Sequence, residues 1–459
     1  MTASDILPAQ EYLIHFAQIH ECFRQPEINA LAKRHSLPLV WKSYSNASPF
    51  AIITLPSDTD ARTIISDSIL AKAIYRLLAH SSDYDSLHAL LRSRPELIPE
   101  TIRKATFKFT IESYLHKRSK SSQRSVINGF AHLPLTGTVT LDKPEVKFTV
   151  FEEFPGSPGI YRQDGPTNPI SVGLGVFLSH GSRSTIDTYD LKKRLYIGTT
   201  SMDAELSLVT CNLAMAGPGK ILYDPFSGTG SFLVTASHFG AMTLGSDIDG
   251  RQIRGKKPGK NVIGNFKQYG ITSRYLDGFT ADLTNTPLRS TRFLDGIVSD
   301  PPYGVREGLK VLGHKDPAKN GSGEPVVVDG VVKFKEPDYI PPKRPYSFNA
   351  MLDDICRFAA AHLVDAGRLC FWVPATNEDG IEMQLPKHPA LELIAVCPQQ
   401  FNNWSRWLLV YERIPGELDS MQVPEKQAVP QRATASELNN FRKKYFEGFN
   451  QKPTSPSTE

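Results

Sequence analysis

Apolar runs alternate with amphipathic stretches through the second half of the chain, from about residue 201 to residue 413. The apolar runs predict strands at 221–223, 243–246, 296–299, 369–373, 393–396 and 407–411. Helical spacing predicts helices at 203–215, 231–239, 261–269 and 348–363. Such alternation is typical of a mostly parallel sheet. The last two strands are separated by too few residues for a crossover helix, so we expect an antiparallel pair at the end of the sheet.

The first eighty residues have a shorter and more mixed pattern. Strand-like runs occur at 12–16, 50–55 and 73–78, with a helical stretch that opens at Pro26 and another after a possible cap at Asp60. This order predicts a small β-α-β-β-α-β sheet of the ferredoxin-like type.

Shifts in composition divide the chain into four regions. Residues 81–198 form a second α+β block, and residues after 415 become polar, which predicts one short helix and a disordered tail. Residues 309–345 are rich in Pro, Gly and Lys and predict a mobile loop inside the α/β region. The predicted regions are 1–80, 81–198, 199–415 and 416–459.

The composition indicates the class of protein and its cellular compartment but says little about its reaction. The 459 residues are 40% hydrophobic and 22% charged, as in ordinary globular proteins, and the formal net charge is +4. We find no apolar run of membrane-spanning length and no secretory signal at the N-terminus. The five cysteines are scattered, so we predict neither a zinc or other metal site nor a disulfide framework. A reduced cytoplasmic or nuclear protein is the default, and we expect a cytoplasmic one.

A glycine-rich turn after the 221–223 strand predicts a nucleoside site. Gly228 and Gly230 follow Asp224, and the carboxylate at that strand end would repel a pyrophosphate but attract a cation. S-adenosylmethionine carries an ammonium and a sulfonium and therefore fits. Asp247, 23 residues after Asp224, is expected to accept from the ribose hydroxyls, and Asp282 from the adenine amino group.

A second acidic turn, Asp300-Pro301-Pro302-Tyr303, follows the 296–299 strand. The two prolines prevent a helix from starting there, so the Pro301 carbonyl is free to point into the pocket. Asp300 and that carbonyl would accept the two N–H bonds of an exocyclic amine, and Tyr303 would offer a stacking face to its ring. The pattern predicts methyl transfer to an amino group.

Basic residues cluster at 116–124, in the segment HKRSKSSQR. Lys117, Arg118, Lys120 and Arg124 are candidates for contact with RNA phosphates. Basic clusters are more often merely solvated surfaces, so this one supports nucleic-acid binding only together with other features.

Five segments in order resemble the tRNA guanine-10 N2-methyltransferase family, especially its eukaryotic catalytic subunit. They are RLYIGTTSMDAELSLVTCNLA, DPFSGTGSFLVTASHFGA, GSDIDGRQIRGKK, NFKQYG and SDPPYGVREG. The upstream segment GTVTLDKPEVKFTVFE is similar to the RNA-binding THUMP module of that family. The resemblance implies a Rossmann-like methyltransferase with a mostly parallel seven-stranded sheet and an antiparallel end strand, preceded by ferredoxin-like and THUMP-type domains.

The resemblance also implies a reaction, a partner and further site residues. The reaction is transfer from S-adenosylmethionine to N2 of guanosine 10 of tRNA, and the partner is a small zinc-binding activator subunit in a heterodimer; no DNA partner is expected. Arg306 becomes a candidate for RNA contact. Carried over by motif, the residues that would bind the cofactor are Thr200, Ser201, Asp224, Phe226, Gly228, Gly230, Asp247, Ile248 and Asp282.

Two alternatives stay open on the sequence. The strand-end acceptor motif also serves amino methylation of adenine in DNA or RNA and of glutamine in proteins. A non-catalytic RNA-binding protein on a methyltransferase scaffold is the alternative of a different class, although the intact Asp300–Tyr303 motif argues against it.

Overall fold

The chain folds into two compact units, Met1–Thr185 and Ile186–Glu459. The computed structural model describes residues 10–156, 168–305, 308–313, 327–332, 341–376, 385–402, 404–416 and 437–449. The first unit ends at Thr185, whereas the sequence pattern predicted the start of the α/β region after residue 198.

The first unit is built on one seven-stranded sheet. Its strands are β1 (Gln10–Phe16), β2 (Val40–Ser43), β3 (Phe50–Leu55), β4 (Ala71–Ser81), β5 (Phe107–Tyr114), β6 (Val146–Glu153) and β7 (Ser171–His180), in the order β2-β3-β1-β4-β7-β6-β5. Its helices are α1 (Glu21–Arg34), α2 (Asp58–Ser66), α3 (Tyr84–Ser93), α4 (Glu100–Lys104) and α5 (Lys120–Gly129). The first six elements follow the β-α-β-β-α-β order that the sequence predicts.

Two local features of this unit differ from expectation. Ser57, not Asp60, caps α2, because its hydroxyl accepts from the Asp60 N–H at 3.2 Å and the acids then lie in the first turn, where the helix dipole favours them. Strand β4 extends to Ser81 and pairs on one side with β1 and on the other with β7. The regions 1–80 and 81–198 thus contribute strands to a single sheet, and their division into separate domains stays a prediction.

The second unit is a doubly wound α/β layer. Its main-sheet strands are β8 (Ile221–Asp224), β9 (Met242–Asp247), β10 (Tyr275–Thr280), β11 (Leu294–Ser299), β16 (Leu363–Thr376), β17 (Leu391–Gln400) and β18 (Trp404–Arg413). Short strands form two separate pairs, β12 (Lys310–Leu312) with β15 (Lys343–Pro345) and β13 (Val327–Val328) with β14 (Val331–Val332). The helices are α6 (Thr185–Tyr189), α7 (Ala204–Leu213), α8 (Ser231–His238), α9 (Gly250–Arg254), α10 (Val262–Gln268), α11 (Phe348–His362) and α12 (Asn440–Phe449).

The main sheet has the order β10-β9-β8-β11-β16-β18-β17. Strands β10, β9, β8, β11 and β16 are mutually parallel, and β18 is antiparallel to both of its neighbours. The predicted antiparallel pair of β17 and β18 is confirmed, with the antiparallel strand lying one place in from the edge. Ile297, Leu369 and Leu409 of the central strands are fully buried against α11. The chain order reverses between β8 and β11, and in such sheets the crevice beyond the carboxyl strand ends at that point binds ligands.

Candidate active site

The turn between β8 and α8 wraps around two carboxylates. Asp224 ends β8, is 2% exposed, and accepts the Phe226 N–H at 3.0 Å. Gly228 donates its N–H to Asp247, at the end of the neighbouring strand β9, also at 3.0 Å. Gly228 has a φ of +51°, and a Cβ at this position would meet no atom within 4 Å. The positive φ favours glycine at this position. The open space beside the backbone would allow a ligand to approach it closely.

The electrostatics of this turn favour a cation. Burial raises the pKa of Asp224 well above its usual range, and the carboxylates of Asp247 and Asp300 raise it further. Burial also raises the pKa of Asp247. Three carboxylates in one partly dehydrated site repel each other, so a positively charged ligand among them is stabilised. A sulfonium or an ammonium group matches this charge, whereas a pyrophosphate does not.

A cavity of about 50 Å³, partly open to solvent, lies beside this turn. Asp282 stands at its wall and accepts the N–H groups of Thr284 at 3.0 Å and Leu312 at 2.7 Å. One carboxylate in a mostly apolar lining suits a flat heterocycle with an amino group, such as adenine. The residues that line the cavity are Pro225, Phe226, Ile248, Ala281, Asp282, Leu283, Thr284, Pro302, Leu309, Lys310, Val311, Tyr346 and Met351.

Part of this lining comes from the region expected to be a mobile loop. Val311 and Tyr346 are buried, and Val311 pairs with Arg344 where β12 meets β15. The two ends of the 309–345 insertion are therefore paired strands, and residues 309–311 line the cavity, while 314–326 and 333–340 lie outside the described residues. Hydrophobic periodicity could not show this, because three-residue strands carry too little pattern.

Ser201 joins the segment before α7 to the glycine turn. Its hydroxyl accepts the Gly198 N–H at 2.9 Å and contacts the Thr229 hydroxyl at 2.9 Å. Thr200, its neighbour in the sequence, is exposed. This arrangement places Ser201 beside the start of α8, and a role of Thr200 and Ser201 at the methionine end of a cofactor stays a prediction.

The Asp300–Tyr303 motif lies at the carboxyl end of β11, next in the sheet to β8. The Tyr303 hydroxyl donates to Asp300 Oδ1 at 2.6 Å, and Pro302 lines the cavity. Enclosure by the protein raises the pKa of Asp300 to about 6, although the Tyr303 hydrogen bond and the Arg406 guanidinium both act to lower it. Asp300 keeps part of its surface exposed, so an incoming amine can reach it.

In the basic cluster of the first unit, three side chains are exposed and one is held in an ion pair. Lys117, Lys120 and Arg124 are exposed, and the last two lie one turn apart on α5. Arg118 instead forms a bidentate ion pair with Glu152, whose side chain is fully buried. The guanidinium of Arg118 is thus held by the fold and has less to offer to a phosphate than its neighbours. Arg306 lies outside the described residues.

Two family models match consecutive parts of the chain. Residues 10–183 match a model described as Tmrp11 THUMP N-terminal domain, and residues 192–313 match one described as RMKL-like, methyltransferase domain. The two matches divide the chain between the two compact units.

Curated proteins are similar over nearly the whole length. The tRNA (guanine(10)-N(2))-methyltransferase of Saccharomyces cerevisiae is 40% identical, with 96% of this chain and all of that protein covered. The protein of the same name from Schizosaccharomyces pombe is 38% identical, with 95% and 96% covered. The human counterpart is 30% identical, with 95% of each chain covered.

This chain belongs to the tRNA (guanine(10)-N2)-methyltransferase family. The resemblance drawn from the five sequence segments is confirmed, and so is the Rossmann-like methyltransferase fold behind an N-terminal THUMP domain. Among solved structures, TrmN from Thermus thermophilus is similar at 17% identity and a TM-score of 0.41, with 88% of this chain and all of that one covered. The methyl donor expected for this family is S-adenosylmethionine, which matches the charge and shape of the site.

Proposed function

We propose that this chain transfers a methyl group from S-adenosylmethionine to N2 of guanosine 10 in tRNA. The observation that carries the proposal is the position of Asp300 and Tyr303 at the end of β11, beside a cavity that also adjoins Asp282 and the glycine turn. The full-length relatives named tRNA (guanine(10)-N(2))-methyltransferase support the choice of the base and its position.

The chain's own residues account for the chemistry at the acceptor nitrogen. S-adenosylmethionine, when bound, supplies an electrophilic methyl group. Asp300 and the Pro301 carbonyl accept the two N–H bonds of guanine N2, so that the lone pair on the nitrogen faces the donor. As N2 gains positive charge, the carboxylate of Asp300 stabilises that charge and takes the proton that is released. Tyr303 orients Asp300 through its hydroxyl and offers its ring to the base.

A comparison of acceptor pools tests the substrate class. The protein is incubated with labelled S-adenosylmethionine and with separate pools of tRNA, DNA and soluble protein. We expect label in tRNA, released on digestion as N2-methylguanosine. Label in DNA alone, or in protein glutamine alone, would instead support the alternative amino-methyltransferase functions that share the strand-end motif.

We further propose that the active form is a heterodimer with a small zinc-binding activator subunit, as the family resemblance implies. Both edge strands of the main sheet expose apolar side chains that a partner can cover: Leu276 on β10 and Ile394 on β17. Leu276→Lys and Ile394→Lys, each co-expressed with the candidate subunit, test the two edges separately. Loss of co-purification with one variant identifies the edge, and retention with both contradicts docking at the sheet edge.

We place the enzyme in the cytoplasm. In the described part of the chain, no helix combines the length and the apolar character needed to cross a membrane. All five cysteines are free thiols, four of them buried, which suits a reducing compartment. Fluorescence microscopy of a tagged chain tests the location, and accumulation in the nucleus or an organelle would contradict it.

A further inference from the structure

The C-terminal helix α12 contacts the turn that follows Asp300. The Asn439 side chain donates from Nδ2 to the Tyr303 carbonyl at 2.9 Å. Arg442 donates from Nη1 to the Gly304 carbonyl at 2.5 Å and also to the Val305 carbonyl. Two side chains at the start of one helix thus hold three consecutive carbonyls of the catalytic turn.

Several details indicate that this contact is built into the fold. Asn439 also caps α12, because its Oδ1 accepts the Arg442 N–H at 3.0 Å, and this bond fixes the direction of its amide group. Gly304 has a φ of +71°, and a Cβ there would lie 2.8 Å from Asn439 Nδ2. The turn and the helix therefore approach so closely that a residue larger than glycine would force them apart.

Aromatic rings extend the contact to the side chain of Tyr303. The Trp404 ring lies edge-on to Tyr303 at 6.2 Å between centroids and 5.8 Å from Phe441 of α12. Phe441 is 8% exposed, so its ring is part of the core of this unit. Helix α12 thus supports the turn through its carbonyls and, by way of Trp404, supports the ring that we expect to face the base.

We propose that α12 is a positioning element of the active site, in which Asn439 and Arg442 fix residues 303–305 and keep the Tyr303 hydroxyl on Asp300. The α12 segment lies beyond the part of the chain that the methyltransferase family model matches, 192–313. The identity of the base rests on the proposed function, whereas the ordering of the turn by α12 does not. Neither residue lines the cofactor cavity, so the proposal predicts a loss of catalytic rate without a loss of donor affinity.

Four variants separate this role from a general effect on stability. Arg442→Gln and Asn439→Ala remove the donors to the turn, Arg442→Lys keeps a cation that can donate, and Asn440→Ala changes an exposed position of the same helix. We expect Arg442→Gln to slow single-turnover methylation by about 10- to 100-fold, because small misplacements of a catalytic group have large effects on rate. The dissociation constant for S-adenosylmethionine is expected to stay unchanged, Arg442→Lys to recover part of the rate, and Asn440→Ala to match the wild type.

Hydrogen exchange supplies a readout that needs no RNA. In Arg442→Gln, the amides of residues 303–305 are expected to exchange faster, while those of the turn at 224–230 exchange as in the wild type. If exchange is faster in Arg442→Gln but the wild-type chain does not methylate tRNA, the proposed function is refuted and the role of α12 stands. Unchanged exchange, or donor affinity and rate lost together, would overturn the role of α12.

A separate feature of the second unit is a basic loop, defined as residues 255–260, between α9 and α10. From residue 250 to residue 260 the chain has five Lys and Arg residues and no acid. Arg251 pairs with Asp249, whereas Lys256, Lys257 and Lys260 are exposed.

The basic loop is closed by backbone contacts. The Lys260 N–H donates to the Lys257 carbonyl at 3.1 Å. Gly255 has a φ of +69°, and a Cβ there would lie 1.9 Å from the Lys260 carbonyl oxygen. The two ends of the loop are thus in direct contact, and the three lysines are presented on a compact turn. The loop follows α9, the short helix that comes directly after the end of β9 at Asp247.

We infer that the basic loop contacts phosphates of the RNA whose base reaches Asp300, an inference that rests on the proposed function. The triple variant with Gln at Lys256, Lys257 and Lys260 is expected to reduce the slope of log Kd for tRNA against log salt by about 2 to 3. The rate at saturating tRNA is expected to stay unchanged, and Lys387→Gln, at an exposed site of the same unit, serves as the control. An unchanged slope would overturn the inference alone, whereas a wild type that does not bind tRNA would overturn the proposed function as well.

Discussion

At the scale of single residues, the proposed role of Asp300 predicts how the reaction rate depends on pH. Asp300 can stabilise the charge on N2 and take the released proton only when it is ionised, and enclosure by the protein raises its pKa to about 6. A raised pKa moves the loss of activity upward in pH, so kcat is expected to fall tenfold per pH unit below about 6. The measurement is kcat against pH at saturating S-adenosylmethionine. Under this condition, protonation of Asp224 and Asp247, which are expected to bind the donor, changes the KM for the donor and not kcat. A kcat that stays constant down to pH 5 would contradict this role.

Substitution of the same residue tests its chemistry directly. Asp300→Asn keeps the shape but places a neutral amide where a negatively charged proton acceptor is needed, and we expect kcat to fall by about 100- to 1000-fold, as when one preorganised polar group is removed. Binding of tRNA and of S-adenosylmethionine is expected to remain, as measured by filter retention and calorimetry. Turnover at the wild-type rate would refute the assignment.

The positions of these acids at one edge of the sheet were predictable, because each one stands at the end of a recognisable strand. Asp224, Asp247 and Asp300 follow apolar runs, and parallel strands bring their carboxyl ends to one edge. Arg118 illustrates what a linear pattern cannot show. It stands in a basic run, yet the fold pairs it with Glu152, a partner 34 residues away whose burial becomes visible only in three dimensions.

The Arg118–Glu152 pair is expected to stabilise the first unit. Glu152→Gln would leave the Arg118 charge enclosed without a partner, which typically costs about 3–5 kcal/mol of unfolding free energy. The matched control is Glu100→Gln, which breaks the fully exposed Glu100–Lys104 pair of the same unit, worth no more than about 1 kcal/mol. Denaturant unfolding measures both. Equal effects of the two substitutions would contradict a structural role for Arg118.

At the scale of elements, long and strongly patterned segments were predictable, and short or distant ones were not. The predicted helices at 231–239 and 348–363 correspond to α8 and α11 within one residue. Strands β12 and β15 are each three residues long, and they pair although more than thirty residues separate them in the sequence. The predicted C-terminal helix is present as α12, but its contacts with the catalytic turn arise from tertiary packing, which periodicity does not encode.

At the scale of the whole molecule, we assign the capture of RNA partly to the first unit and the chemistry to the second. Gln substitutions at Lys117, Lys120 and Arg124 remove three exposed cations, so the salt dependence of tRNA binding is expected to weaken by about 2 to 3 in slope. The rate at saturating tRNA should not change, because none of the three belongs to the catalytic unit. An unchanged slope in filter-binding titrations against salt would remove these residues from the RNA surface.

The boundary between the two units could be predicted approximately from the sequence. The change from mixed short elements to regular α/β alternation marks the start of the second unit, and the family models divide the chain between residues 183 and 192. No comparable change in pattern shows that β4 joins β1 to β7, because sheet continuity depends on pairing between strands far apart in the sequence.

The most direct test of the central claim is mass spectrometry of nucleosides and mapped oligonucleotides from the tRNA of a strain that lacks this protein. The cell supplies any partner subunit, so the result does not depend on reconstitution. We predict that N2-methylguanosine disappears from position 10, returns with the wild-type chain and does not return with Asp300→Asn. Persistence of the modified base at position 10 in the deletion strain would contradict the account.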